Sequence, residues 1–386
     1  MEIKEKLLES IEKYKEEAFD LNTFLANNPE ISGCEFKSCE KIIEILENNN
    51  IKIEKNFCNL QTAFKGKVIK KDSKTKGAIL VEYDALEGLG HACGHSASAA
   101  ISLLSVLALK ENEDLINANI DVIGTPDEEL AGAKSFMADN GVFDEYDFAI
   151  MIHISNENMP CWKFLALETY EFDFKGKPAH TAASPWEGRS ALDALMLMIH
   201  SFDLIRKSTR PGTIIEGYIK EGGLTTNIIP ERAKGIYAIR SDSTKYLQEE
   251  LMPWIFKAAN ASAKAMETNL EINEVGYPFK DMKWNESGVE SIREIMKELN
   301  ISYNDNSKIF GSSDMGSVSH RCPAFHPSVS IGKDVALHTK EMADLMKTEN
   351  AKEAVLNGAK IISLFVEKVS NDRELLNKIK LEYKKN

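Results

Sequence analysis

The chain has 386 residues, 43% hydrophobic and 28% charged, with a net charge of −13. That length predicts two domains or one elaborated domain. The acidic balance argues against nucleic acid or an anionic membrane as the main partner, and no apolar stretch is long enough to span a bilayer.

The amino end, Met1-Glu2-Ile3-Lys4-Glu5-Lys6, runs straight into charge. No secretory signal is therefore expected, and the expected compartment is cytoplasmic. Six cysteines in so long a chain make no disulfide scaffold and are expected to be thiols.

Apolar residues recur with helical period from Ile3 to Leu25, predicting a surface helix over 2–25. A turn at Asn27-Asn28-Pro29-Glu30 precedes a second helix over 36–48, short strands around 62–68, and a β-rich run over 77–84 ending in Asp84. After a Gly-rich loop comes Gly90-His91-Ala92-Cys93-Gly94-His95-Ser96, then an apolar helix over 97–110 whose amino end is expected to favour a Cys93 thiolate. A strand over 120–124 delivers Thr125-Pro126-Asp127-Glu128-Glu129, and another over 148–152 delivers His153. Three strand ends thus carry Asp84, the Glu128/Glu129 pair and His153, which is how an α/β enzyme places its chemistry.

From about Phe164 strands over 165–174, 213–219, 235–240 and 270–275 alternate with helices over 190–206 and 244–266. This β-α-β-β-α-β order predicts an inserted ferredoxin-like α+β domain over 167–280, with 1–166 and 281–386 forming one α/β domain. The closing segment carries a helix over 287–299, a Ser/Gly loop at Gly311-Ser312-Ser313-Asp314, a strand over 328–331 and Leu337-His338-Thr339. Helices over 341–347 and 349–370 follow, then a basic tail.

Each candidate residue alone has a plainer reading. Most free cysteines are small buried hydrophobes, adjacent glutamates are common on solvated surfaces, His153 would pass for a core histidine and His338 for a surface one. Together, Cys93, His95, Glu129, His153 and His338 offer five N, S and O donors, enough for two metal ions with room for water. The side chains of Glu128 and Glu129, pointing different ways from a strand end, suit two tasks, one glutamate binding metal and the other handling a water proton.

The motifs resemble those of the co-catalytic metallo-amidohydrolases, a family that includes aminoacylases, glutamate carboxypeptidases and auxin-conjugate hydrolases. The likeness is nearest to its aminobenzoyl-glutamate hydrolase and β-alanyl-dipeptide hydrolase members. It rests on Asn28-Pro29-Glu30, Glu82-Tyr83-Asp84-Ala85-Leu86, Gly90 to His95, Gly124-Thr125-Pro126 with Glu128-Glu129, and Met151-Ile152-His153. It continues through Lys175 to His180, Asn227-Ile228-Ile229-Pro230, Gly311 to Gly316 and His338-Thr339.

The resemblance implies a three-layer catalytic domain with a mixed sheet, interrupted by an inserted lid and dimerisation domain. It implies two divalent ions, Zn or Mn, held by Cys93, His95, Glu129, His153 and His338, with Glu128 as general base and Asp84 supporting a ligand from behind. It also implies that His180 reaches the active site of a partner chain in a homodimer, and that Asn227 and Arg240 contact a small amide substrate. That substrate would be an N-acyl amino acid, an aminobenzoyl-glutamate-like conjugate or a small dipeptide.

Two departures stand out. Ser96 replaces the usual Asp or Asn, which is expected to weaken a supporting hydrogen bond, and Glu87 replaces a proline, which is expected to loosen a turn. The rival readings are an inactive small-molecule binding homologue and a thiol hydrolase with Cys93 as nucleophile.

Overall fold

The computed structural model describes residues 3–305 and 311–385; Glu2 of the predicted first helix lies outside them. In chain order the first elements are α1 (Ile3–Asn27), α2 (Phe36–Asn48), β1 (Ile53–Lys55), β2 (Phe64–Ile69), β3 (Lys76–Val81), α3 (His95–Glu111), β4 (Asn119–Gly124), α4 (Ala133–Asp139), β5 (Phe148–Ile150) and β6 (His153–Ser155). Next come β7 (Ala166–Lys175), α5 (Ala191–Arg206), β8 (Ile214–Glu221), β9 (Arg232–Ser241), α6 (Thr244–Tyr246), α7 (Met252–Ala265) and β10 (Asn269–Glu274). The chain closes with α8 (Glu286–Glu298), α9 (Met315–Ser319), β11 (Ala324–Phe325), β12 (Ser328–Ser330), α10 (Lys340–Leu345), α11 (Glu349–Asn371) and α12 (Arg373–Tyr383). Two compact units result, Met1–Lys163 with Met282–Asn386, and Phe164–Asp281.

In the first unit a mixed sheet runs β1-β2-β4-β3-β5-β11, antiparallel at β1/β2 and β2/β4 and parallel from β4 through β11. β3 reads Lys-Gly-Ala-Ile-Leu-Val and is buried almost throughout, as a strand covered on both faces must be. Because β3 and β4 are parallel neighbours ending level at Val81 and Gly124, the segments that follow them emerge side by side. Thr125 locks that exit, its N–H and hydroxyl both donating to the Val81 carbonyl at 2.8 and 3.0 Å.

Helix α3 is buried from His95 to Leu109 and carries no polar stripe, which marks a central helix. Two of its serines are satisfied by backbone, Ser102 on the Leu80 carbonyl (2.8 Å) and Ser105 on Ile101 (2.7 Å), while Ser96 and Ser98 are buried without a hydrogen bond. α1 and α11 pack against it. At Gly358 of α11 a Cβ would meet Ile101 at 2.7 Å, so the two backbones approach to a distance that only glycine allows.

The strand expected over 148–152 is instead two short pieces. β5 stops at Ile150, and β6 starts at His153 and pairs with β12 in a separate two-stranded sheet. His153 therefore opens a strand rather than ending one. The expected basic tail is also different: α12 buries Leu376 and Ile379, and Asp372 caps it by accepting from Glu374 and Leu375 N–H.

The inserted unit forms an antiparallel sheet in the order β10-β7-β9-β8. The expected helix over 244–266 is interrupted by a π-helical segment, Leu247–Leu251. A single core joins Phe172, Phe174, Leu195, Met198, Phe202, Tyr237 and Ile255. Phe172, Phe202 and Tyr237 meet edge to face with centroids 5.2 to 6.3 Å apart. No helix of the described residues is long and apolar enough to cross a membrane.

Glu35 is fully buried in the first unit. It accepts from Gly33 and Asp127 N–H, each at 2.8 Å, and from the Thr62 hydroxyl at 3.0 Å. Burial, aided by Asp84, pushes its carboxyl up to about 7. A folded-state pKa above the unfolded one means stability is fully present at pH 4.5 and is lost as pH rises towards 7. The loss is about 3 kcal/mol for a shift of this size. Glu35→Gln keeps the shape without the titration. Chemical denaturation at pH 4.5 and 7.5 should show the variant gaining about 3 kcal/mol on the wild type across that interval.

Candidate metal centre

The segments leaving β3 and β4, the turn before α3, the start of β6 and the loop before α10 bring five donors into two overlapping groups. Cys93, His95 and His153 form one and Cys93, Glu129 and His338 the other, with donor atoms in each within 4.8 Å of one another. Cys93 belongs to both. Its sulfur lies 3.4 Å from His153 Nε2, while Glu129 Oε1 lies 3.5 Å from His338 Nε2 and 3.9 Å from His95 Nε2.

The imidazoles are pre-set from behind. His95 Nδ1 sits 2.9 Å from Asp84 Oδ1 and 3.1 Å from the Asp84 carbonyl. Both are acceptors, so Nδ1 carries the proton and Nε2 offers its lone pair inward. His153 Nδ1 donates to the Ile154 carbonyl at 2.6 Å, which likewise turns Nε2 to the cluster. Asp84 Oδ2 accepts from the Ser32 hydroxyl (2.7 Å) and from Glu129 N–H (3.0 Å), so one carboxylate orients His95 and anchors the Glu129 backbone.

Two backbone positions in the left-handed region aim the remaining donors. Asp127, at φ 58°, precedes the glutamate pair and turns it inward, and His338 itself sits at φ 62° with its N–H on the Ala92 carbonyl at 2.9 Å. Such residues cost about 1 to 3 kcal/mol each unless their surroundings hold them. His338 is the exposed member, its side chain 54% accessible.

The electrostatics are those of a cation cradle. Burial pushes the Cys93 thiol far up, with Glu129 adding and His95 opposing. The expected helix-end stabilisation of a thiolate is therefore outweighed by desolvation. A buried, raised thiol is also a poor nucleophile. Burial lowers His153 to about 4, helped by His95, so this imidazole is neutral and fit to ligate. Burial opposes charge on Glu129, yet its contacts with His338 and His95 prevail and hold the carboxyl below its usual range. His95 Nε2 and Glu129 Oε1 are buried and make no hydrogen bond. Unsatisfied inward-facing donors around a thiol shared by two groups fit a pair of divalent ions.

Glu128 lies beside this cradle and within 4.8 Å of two further donor groups, His95 with Glu129, and Glu82 with Asp314. Burial, Asp314, Glu129 and Glu82 push its carboxyl well above the usual range. Glu82, Asp314 and the fully buried Lys134 were not singled out as site residues by sequence reasoning. The available signal was a lysine within the small, apolar run Ala131-Gly132-Ala133-Lys134.

In the inserted unit, His180 and Asn227 are brought together: His180 bridges to Ile228, and Thr181 N–H donates to the Asn227 carbonyl at 3.1 Å. His180 Nδ1 accepts from Ala182 and Ala183 N–H, each at 3.2 Å, which puts the ring proton on exposed Nε2. Arg240 is not with them. It stands eight residues beyond Arg232 on β9, about 26 Å along the strand, and pairs with Glu216 at 3.0 Å.

The two departures have structural counterparts. Ser96 Oγ is buried without a hydrogen-bond partner, and the turn at Glu87 is closed by reciprocal Leu86 and Gly90 backbone bonds of 3.0 Å. Between Cys93 and His95, Gly94 has φ 90°, and a Cβ there would lie 2.8 Å from Ile154. Gly94→Ala should therefore destabilise by roughly 1 to 3 kcal/mol, whereas Ser96→Ala, which loses no bond, should stay within about 0.5 kcal/mol of wild type. Thermal unfolding of both variants in chelator checks this ordering.

The sequence model of Peptidase family M20/M25/M40 matches residues 75–368. The chain is 31% identical over 315 residues to the Xaa-Arg dipeptidase of Mus musculus, covering 80% of this chain and 73% of that protein. It is 28% identical over 284 residues to a p-aminobenzoyl-glutamate hydrolase chain of Escherichia coli (strain K12), covering 68% of this chain and 58% of that one. Among solved structures, the fold is similar to the Bacillus subtilis YXEP protein, a dinuclear metal binding peptidase from the M20 family. That match has a TM-score of 0.70 at 16% identity and covers 93% of this chain and 99% of that one. It is also similar to an aminobenzoyl-glutamate utilization protein from Klebsiella pneumoniae, with a TM-score of 0.71 at 18% identity, covering 90% and 97%.

Proposed function

The chain belongs to peptidase family M20/M25/M40 and is a hydrolase of amide or peptide bonds, and from that premise we propose a binuclear metal amidase acting on small amides. The substrate class is a dipeptide, an N-acyl amino acid or an aminobenzoyl-glutamate-like conjugate. The observation that carries the reading is the sharing of Cys93 by two donor groups whose other members are His95 and His153, and Glu129 and His338. The thiolate favours Zn, and the carboxylate and imidazole donors also accept Mn.

A pair of divalent ions in this cradle supplies the positive charge that lowers the pKa of a water and polarises the substrate carbonyl. The protein does the rest. Glu128, whose carboxylate lies within 4.8 Å of the His95 and Glu129 donor atoms, takes the water proton and hands it to the departing amine. Asp84 keeps His95 in the ligating tautomer. His180, with its proton on exposed Nε2, donates to the oxyanion of a partner chain's substrate, and its neighbour Asn227 binds that substrate's polar groups.

A homodimer through the inserted unit is part of this proposal. β8 is an edge strand of that unit's sheet and exposes Ile214, Tyr218 and Ile219, a surface that pairing would cover. Sedimentation should give twice the chain mass for the wild type and a monomer for Tyr218→Lys, and a monomeric wild type would remove the dimer.

Amine release from dipeptides ending in arginine, from N-acyl amino acids and from aminobenzoyl-glutamate tests the activity. Turnover should vanish in chelator and return with Zn or Mn, and Glu128→Gln should lose about 10² to 10⁴-fold in kcat with its metal content unchanged. A fully metal-loaded wild type that cleaves none of the panel would overturn the assignment.

A further inference from the structure

Beside the cradle lies a group of a different chemical kind. Glu82, Glu128 and Asp314 bring one carboxylate oxygen each within 4.8 Å of one another. Three carboxylates, those of Glu82 and Asp314 buried and that of Glu128 partly so, with no nitrogen or sulfur among them, form an arrangement suited to a hard cation such as Mn2+ or Ca2+. The side chain that meets them is Lys134, which is fully buried. Its ammonium pairs with Glu82 and lies 2.7 Å from Asp314 Oδ1, and its backbone N–H donates to Asp314 Oδ2 at 3.0 Å. Both Asp314 oxygens are thus held by one residue.

We propose that Lys134 is a positioning residue whose ammonium fills the Glu82/Glu128/Asp314 pocket as a tethered cation, keeping a third divalent ion out and so leaving Glu128 available as base. The proposal rests on the binuclear reading above. Its logic lies in two shared side chains. Glu128 belongs both to the carboxylate group and to the group with His95 and Glu129. Glu82 turns one oxygen to Lys134 while the other lies 3.6 Å from His95 Nε2. A divalent ion in the carboxylate pocket would claim Glu128 as a ligand and set a second positive centre beside His95. An ammonium balances the same carboxylates with directed N–H donors but offers no coordination sites, and its stem prevents exchange with solvent ions.

The test is the number of Mn2+ ions bound per full-length chain after equilibrium dialysis, measured by elemental analysis. Wild type should hold two, Lys134→Met three, and Lys134→Met/Asp314→Asn two again. Should Lys134→Met unfold in chelator, recovery of the folded chain with Mn2+ and a count of three supports the proposal. A chain that stays unfolded in Mn2+ overturns it. Wild type and folded Lys134→Met both holding two ions also overturns it while leaving the binuclear centre intact. A wild type that binds none removes the binuclear centre itself.

Discussion

Everything at the site depends on one hydrogen-bonded carboxylate. Asp84 is buried, and its oxygens are divided between His95 Nδ1 on one side and Ser32 and the Glu129 N–H on the other. Burial disfavours its charge, but His95 and these donors outweigh the penalty and hold the carboxyl below its normal range. A permanent anion there fixes the imidazole tautomer and, through Glu129 N–H, the position of the acidic turn. One side chain therefore sets two of the five donors in direction, and the parallel pairing of β3 with β4 places it within reach of both.

The rest of the centre comes from backbone geometry rather than side-chain length. Cys93 and His95 face the same point because Gly94, at φ 90°, reverses the chain between them. Asp127 and His338 occupy the same left-handed region without being glycine. Glu35 is what keeps the first of these in place, since it binds Asp127 N–H while bound to Gly33 and Thr62. Strain at the acidic turn is thus held by a carboxyl outside the reacting cluster, and that carboxyl is itself kept near neutrality by burial.

Much of this was legible in the residues. Apolar runs bounded by glycine and charge marked β3, β4 and α3, and the β-α-β-β-α-β order marked the inserted unit, because period and order are local properties that a sequence displays. His153 was found for a partly wrong reason. The run Phe148 to Ile152 reads as one strand, but Met151 and Ile152 bridge two short pieces paired to β11 and β12. α12 was missed because its sequence, Arg-Glu-Leu-Leu-Asn-Lys-Ile-Lys, is dominated by charge, and only Leu376 and Ile379 reach the core. The helix-end argument for Cys93 is incomplete on magnitude: a helix dipole contributes at most about 2 kcal/mol, and burial opposes the thiolate, so the anion depends on positive charge brought to the site.

Lys134 shows where such reading stops. A buried ammonium costs several kcal/mol to desolvate, and only partners placed by distant segments repay it. Here one comes from the end of β3 and the other from the residue before α9, 180 positions away. Burial pushes Asp314 up to about 6 even against Lys134, while Lys134 and His95 pull Glu82 down. The ammonium answers both carboxylates, and Asp314 takes two hydrogen bonds from this one residue. Glu82 keeps its other oxygen 3.6 Å from His95 Nε2, where the donor cradle begins, so the network's free negative edge faces the place where cations would be attracted.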